Sequence, residues 1–193
     1  MITLIVNLVC GVQFFNITYL LLLKYRFPEK IVLLKENHEC NYIILCFPYE
    51  FKAEIIKRFG SSKLHDKYVE FFSAMSLMVL TNNIFAAHGG IVKGADLKYL
   101  RKVGKNDKIA IEALIWCDPV LSLTLIEADF IFYNNNLSEF LKYIDAKFFV
   151  RGDKYSILHY LIYKDKCLNI FSFSMYKGMG NGGILVAKAD KKK

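Results

Sequence analysis

KIVLLKENHE, residues Lys30 to Glu39, passes without a linker from an apolar run into a polar cluster able to do chemistry. Lys30–Leu34 has the continuous aliphatic character of a strand covered on both faces. Asn37, His38 and Glu39 follow at its carboxyl end, the edge where ligands gather in α/β proteins. Just upstream, Gln13 to Arg26 has helical apolar spacing, and Phe27-Pro28 ends it because the residue before proline is pushed out of the helical region. Farther upstream, Ile2–Val9 reads as a buried strand.

The same transition from strand to polar cluster recurs twice. Asn83–Ala87 reads as a strand ending in His88-Gly89-Gly90, and Phe148–Val150 as one ending in Arg151-Gly152-Asp153. Residues from about Glu50 to Leu80 read as mostly helical, with Phe51, Ile55, Ile56 and Phe59 at helical spacing, Gly60 as a stop, and a second run over His65–Met78. Helices are also expected over Ala95–Val103, Ile109–Ile115 and Leu137–Ile144, the middle one closed by Trp116-Cys117-Asp118-Pro119. Ser156–Tyr163 and Leu168–Phe173 read as paired strands around a turn at Lys164–Lys166, and a glycine loop from Gly178 to Gly183 precedes a last strand, Ile184–Ala187. The expectation is a single mixed α/β domain over residues 1–193.

Composition narrows the class. Hydrophobic residues make up 54% of the 193, enough to build a sizeable core, and no stretch is repetitive or Gly/Ser-rich. Much of the formal charge of +8 is spread thinly, with small clusters at Lys24–Arg26, Lys98–Lys108 and Lys188–Lys193. A basic surface can serve nucleic acid, anionic lipid or phosphorylated partners. No basic–aromatic array interrupts the chain, so a solvated face is expected and nucleic acid is not. Five cysteines without a C-x-x-C pair fit reduced thiols, hence the cytoplasm or nucleus. Met1–Leu23 carries no charge, but Thr3, Asn7, Gly11, Gln13, Asn16 and Thr18 interrupt it and no basic residue precedes it. It reads as strand then helix, and a membrane is not expected as a partner.

The three strand ends together hold imidazole, amide oxygen and carboxylate, the donors that ligate a divalent ion, beside a histidine able to protonate a leaving oxygen and an arginine able to grip phosphate. Each alone has a plainer reading: Asn37 as a turn residue, His88 as a strand-end turn, Arg151-Gly152-Asp153 as a surface turn.

Their order, however, resembles the phosphoprotein phosphatase family, the branch with the type 1, type 2A and calcineurin-like Ser/Thr enzymes. The family's L-R-G-N-H-E appears as Leu34-Lys35-Glu36-Asn37-His38-Glu39, preceded by Tyr25-Arg26-Phe27-Pro28-Glu29-Lys30 in the place of K-x-Y-P-E-x. H-G-G appears as His88-Gly89-Gly90, W-S-D-P as Trp116-Cys117-Asp118-Pro119, and R-A-H as Arg151-Gly152-Asp153 with Tyr160 following. F-S-A-P-N-Y is altered to Phe171-Ser172-Phe173-Ser174-Met175-Tyr176, and Asn181-Gly182-Gly183 resembles the turn before the closing strand.

The resemblance implies a calcineurin-like metallophosphoesterase β-sandwich flanked by helices, here expected to lack its first strand–helix units. It implies two divalent metals (Mn, Fe or Zn) in the family, with Asn37 and His88 matching ligands of the second and Asp153 standing for a ligand histidine. His38 matches the catalytic acid, while Arg151 and Tyr176 match positions beside phosphate and substrate. The family's G-D-x-H would fall before Met1. Its G-D-x-V-D-R-G would fall near Leu4–Gly11, where Leu-Ile-Val-Asn-Leu-Val-Cys-Gly stands instead. Lys35-Glu36 replaces Arg-Gly. These departures imply at most one metal half-site and a Ser/Thr phosphatase-family chain with weakened or lost hydrolysis, or else a non-catalytic pseudophosphatase acting as a binding module. The implied partner is a phosphoprotein substrate or a phosphatase regulatory subunit.

Overall fold

The computed structural model describes residues 13–39, 51–104, 106–120, 131–152 and 160–170. The expected strands Ile2–Val9 and Ile184–Ala187 lie outside these residues, as do the candidate site residues Asp153 and Tyr176.

A helical layer comes first. Helix α1 spans Gln13–Arg26, as its spacing predicts. It stops where Phe27 N donates to Leu23 O at 2.8 Å, and Lys24 Nζ then fastens the turn by donating to Pro28 O and Ile31 O at 2.6 and 2.8 Å. Helix α2, Phe51–Phe59, ends at Gly60, whose φ of +68° suits glycine. Helix α3 spans Lys63–Ala74. Ile17, Phe51, Ile55, Tyr68 and Phe72 form the core between these three helices, each buried apolar side chain contributing about 1.5–3 kcal/mol. Thr18 Oγ1 and Tyr68 OH, 2.9 Å apart, tie α1 to α3.

The sheet comes next. Strands β1 (Met78–Thr81), β2 (Ile84–Ala87), β5 (Phe148–Arg151), β6 (Tyr160–Ile162) and β7 (Cys167–Asn169) form five strands in the order β1-β2-β5-β7-β6. The β2–β5 and β5–β7 pairs are parallel, and the two outer pairs are antiparallel. A short parallel pair, β3 (Asp118–Pro119) with β4 (Ile131–Phe132), lies outside this sheet. Helices α4 (Leu97–Leu100), α5 (Lys108–Trp116) and α6 (Asn134–Tyr143) complete the order.

Alternation along the strands gives the sheet two apolar faces. Phe85, Ala87, Phe149 and Cys167 join Leu114, Phe132, Leu137 and Phe140 in the main core, where the Phe85 and Phe140 rings meet edge-on with centroids 4.9 Å apart. Ala86 and Val150 face the other way and meet Leu34, which brings the Lys30–Glu39 segment onto that face.

Three expectations need correction. Among the described residues, Lys30–Leu34 is not one of the strands of the five-stranded sheet; Leu33 and Leu34 are bridge residues, and Leu34 pairs in parallel with Ser76, supported by Lys35 N donating to Ser76 O at 2.8 Å. Helical structure does not continue to Met78 or Leu80: Met75 turns extended, its N–H closing on Phe72 O, and the chain enters β1. Ala95–Val103 yields one helical turn. Asp96 caps it by accepting from Tyr99 N, and Lys102 and Val103 then bond back three residues rather than four.

Candidate functional site

Because β2 and β5 run parallel, their carboxyl ends lie at one edge, and this places His88-Gly89-Gly90 beside Arg151-Gly152. Gly152 N donates to His88 O at 3.0 Å, joining the two strand ends directly.

Close approach explains the paired glycines. A Cβ on Gly89 would lie 2.4 Å from the carbonyl carbon of Ile115, and one on Gly90 would lie 2.4 Å from Cys117 Cβ. The glycine backbones pack straight onto the end of α5, where Gly89 N donates to Leu114 O at 2.7 Å and Gly90 N to Ala113 O at 3.1 Å.

Arg151, expected beside phosphate, is fully buried at 0% exposure. Its Nε donates to Gly89 O at 2.5 Å, Nη1 to Asn169 Oδ1 at 3.0 Å, and Nη2 to Asp118 Oδ1 at 2.8 Å and Cys117 O at 3.4 Å. The guanidinium thus binds the ends of β2, β5 and β7 to the Trp116–Pro119 segment. A buried charge is tolerated there because a carboxylate and several acceptors surround it.

The third strand-end cluster is a 3₁₀ turn, Asn37–Glu39. Asn37 is buried, and His38 occupies the middle of the turn; the structure does not describe the His38 side chain. Glu36 and Glu39 are each only 1% exposed. Glu36 N donates to Glu39 Oε2 at 2.7 Å, and Glu36 Oε2 lies 3.6 Å from His88 Nδ1, at ion-pair distance from another buried group. Burial pushes the Glu39 carboxyl up to about 8, against the opposing pull of hydrogen bonds from the Glu36 backbone and side chain and of the Lys35 charge. Two carboxyl groups therefore share an enclosed space beside Asn37 and His88. The replacement of Arg-Gly by Lys35-Glu36 already implied an acidic side chain close to the expected phosphate position; the burial of Glu36 and the part played by Glu39 were not foreseen.

Among the described residues, no group of three His, Cys, Asp or Glu side chains could hold a metal ion. Asn37 and His88 supply an amide oxygen and an imidazole, which suit a divalent ion, but two donors do not complete a site. The described residues thus do not fit a two-metal centre by themselves. Cys117 and Cys167 are free thiols raised to about 11 and about 12 by burial, so neither is poised as a nucleophile.

No family model matches the chain. It is 29% identical over 180 residues to the serine/threonine-protein phosphatase 4 catalytic subunit of Eremothecium gossypii, covering 87% of this chain and 52% of the relative. It is 27% identical over 180 residues to the corresponding Saccharomyces cerevisiae subunit, covering 87% and 53%. The chain spans about half the length of the curated relatives it matches. Among solved structures, a protein serine/threonine phosphatase from Saccharomyces cerevisiae, described as similar to human phosphatase PP5, superposes with a TM-score of 0.78 at 21% identity, covering 88% of this chain and 56% of that one. That likeness shows the calcineurin-like α/β fold, of which this chain carries a part.

Proposed function

We propose that this chain, similar in sequence to phosphatase catalytic subunits and in fold to a serine/threonine phosphatase, is a binding module on a phosphatase scaffold whose own hydrolysis is near background. The observation that carries the reading is Glu36, a buried acid at ion-pair distance from His88 and hydrogen-bonded to the equally buried Glu39. By resemblance, that space receives a phosphoryl group bearing close to two negative charges near neutral pH. A carboxyl group there competes with phosphate for the same donors and, where ionised, opposes each phosphate charge about 4 Å away by roughly 4 kcal/mol at an effective dielectric of about 20. The nearest guanidinium, Arg151, offers no relief, being drawn into Gly89, Asn169 and Asp118.

In this reading Arg151 shapes the cleft floor instead of gripping phosphate. Asn37 and His88, joined by Asp153, hold at most one divalent ion (Mn, Fe or Zn), with His38 as the residual proton donor and Tyr176 at the cleft rim. The partner is a phosphatase regulatory subunit or a phosphoprotein, met in the cytoplasm or nucleus, for which the reduced state of Cys117 and Cys167 is support.

Turnover of a phosphothreonine peptide with Mn²⁺ supplied is the test. The expected rate matches the protein-free control. Robust turnover abolished by His38→Ala would overturn the proposal and establish a working phosphatase.

A further inference from the structure

We propose that the outer face of α1 docks on an anionic membrane surface, with the helix lying along the headgroups rather than crossing them. The helix is apolar on two opposite sides. Ile17 and Leu20 are buried, with Phe14 and Leu21 packed beside them against the rest of the molecule. On the other side Phe15, Tyr19, Leu22 and Arg26 recur at i, i+4, i+7 and i+11, which is one stripe of a helix. Phe15 is 54% exposed, Tyr19 62%, Leu22 61% and the neighbouring Tyr25 87%. Together these leave on the order of several hundred Å² of largely apolar surface in water, the size at which such a patch marks an interaction site.

Charge selects the occupant. Arg58 from α2 stands 4.6 Å from the Phe15 ring centroid and 5.7 Å from that of Phe14. At and just past the end of α1, Arg26 and Lys30 stand 5.3 and 5.9 Å from the Phe27 centroid. Of the nearby acids, Glu54 is already paired with Arg58 at 2.9 Å, and Glu29 is exposed. The stripe is therefore rimmed by cations held against aromatic rings, the combination that seats aromatics at the acyl boundary and positive groups among anionic headgroups. Each Lys or Arg near such a surface strengthens the attraction to anionic headgroups. A second copy of the chain fits less well, because a symmetric contact would set two basic rims against each other. The 14 residues of α1 suffice to lie along such a surface, and among the described residues no helix is long and apolar enough to cross a membrane.

Co-sedimentation of the full chain with vesicles tests this, using phosphatidylcholine alone and phosphatidylcholine mixed with phosphatidylserine. The chain should pellet with the anionic vesicles, less so as salt rises, and only weakly with neutral ones. Tyr19→Glu combined with Leu22→Glu should reduce anionic-vesicle partitioning at least about tenfold, with circular dichroism unchanged because both side chains are exposed. Arg26→Ala with Lys30→Ala should weaken binding to anionic vesicles only. Three results would each overturn the proposal: native chain left in the supernatant, a double-Glu variant that binds as well as native, or a vesicle-independent dimer abolished by the double-Glu change. The last would give the face to a second copy.

Discussion

Glu39 keeps its proton well past the pH at which an exposed glutamate has lost it, since ionising inside the protein is opposed by desolvation. The folded chain therefore binds a proton that the unfolded chain releases between 4.5 and about 8. Its stabilising contribution is complete below the unfolded value and declines as pH climbs through that window. Glu39→Gln cannot ionise, so its melting temperature should fall less between mildly acidic and mildly alkaline pH, and should exceed that of the native protein at the alkaline end. Gly90→Ala tests the close approach. With Cys117 Cβ 2.4 Å from the added methyl, the α5 end must shift, and a loss of about 3 kcal/mol or more in denaturant melts is expected, whereas Gly94→Ala meets no atom within 4 Å and is strained only by its φ of +72°. At this scale the sequence disclosed which residue types gather, since His88 and Arg151 stand at strand ends next to glycines and Asn37 stands in a polar cluster after an apolar run. It did not disclose that Arg151 is turned inward or that Glu36 is buried. Both depend on partners distant along the chain, Asn169 and Asp118 for one and His88 for the other, and no local pattern records such pairings.

Among the elements, α1 was legible to the residue because an uninterrupted helical spacing meets Phe27-Pro28. The β1–β2 hairpin was only half legible. Met78–Thr81 has no polar alternation to separate it from the preceding helix, and β2 was read without its partner. Asn82-Asn83 was the overlooked sign: both have positive φ, 49° and 60°, as a two-residue hairpin turn demands and asparagine tolerates. The Lys30–Leu34 segment misled in the opposite sense. Its aliphatic run covers a sheet face through Leu34, and among the described residues it pairs through isolated bridges at Leu33 and Leu34 and not as a strand of the five-stranded sheet. The strongest packing joins sheet and helix through Phe85, Phe140 and Phe149. Phe140→Ala removes an entirely buried ring from α6 and should lower unfolding free energy by about 3–5 kcal/mol in chemical denaturation.

Over the whole molecule, apolar burial is divided. The core of the helical layer, Ile17 to Phe72, shares no residue with the sheet core around Phe85 and Phe149. Such a division favours partial opening of one unit before the other. In native-state hydrogen exchange, Phe51→Ala should hasten exchange across α1, α2 and α3 while the amides of β2 and β5 keep their protection; equal acceleration in both regions would show a single cooperative unit. The fold class was legible from the sequence because three strand–cluster units in order survive imprecise boundaries, and a split core was not, because hydrophobic content does not say which side chains meet. The seam at Gly89 has an optical consequence. A Cβ there would stand 2.7 Å from the backbone nitrogen of Trp116, the chain's only tryptophan among twelve tyrosines. Excited beyond the tyrosine band, the protein glows from a single position on the cleft floor. A partner, ion or substitution that shifts the His88–Gly90 turn should therefore change the colour and yield of that emission, while events on α1 should leave it unaltered.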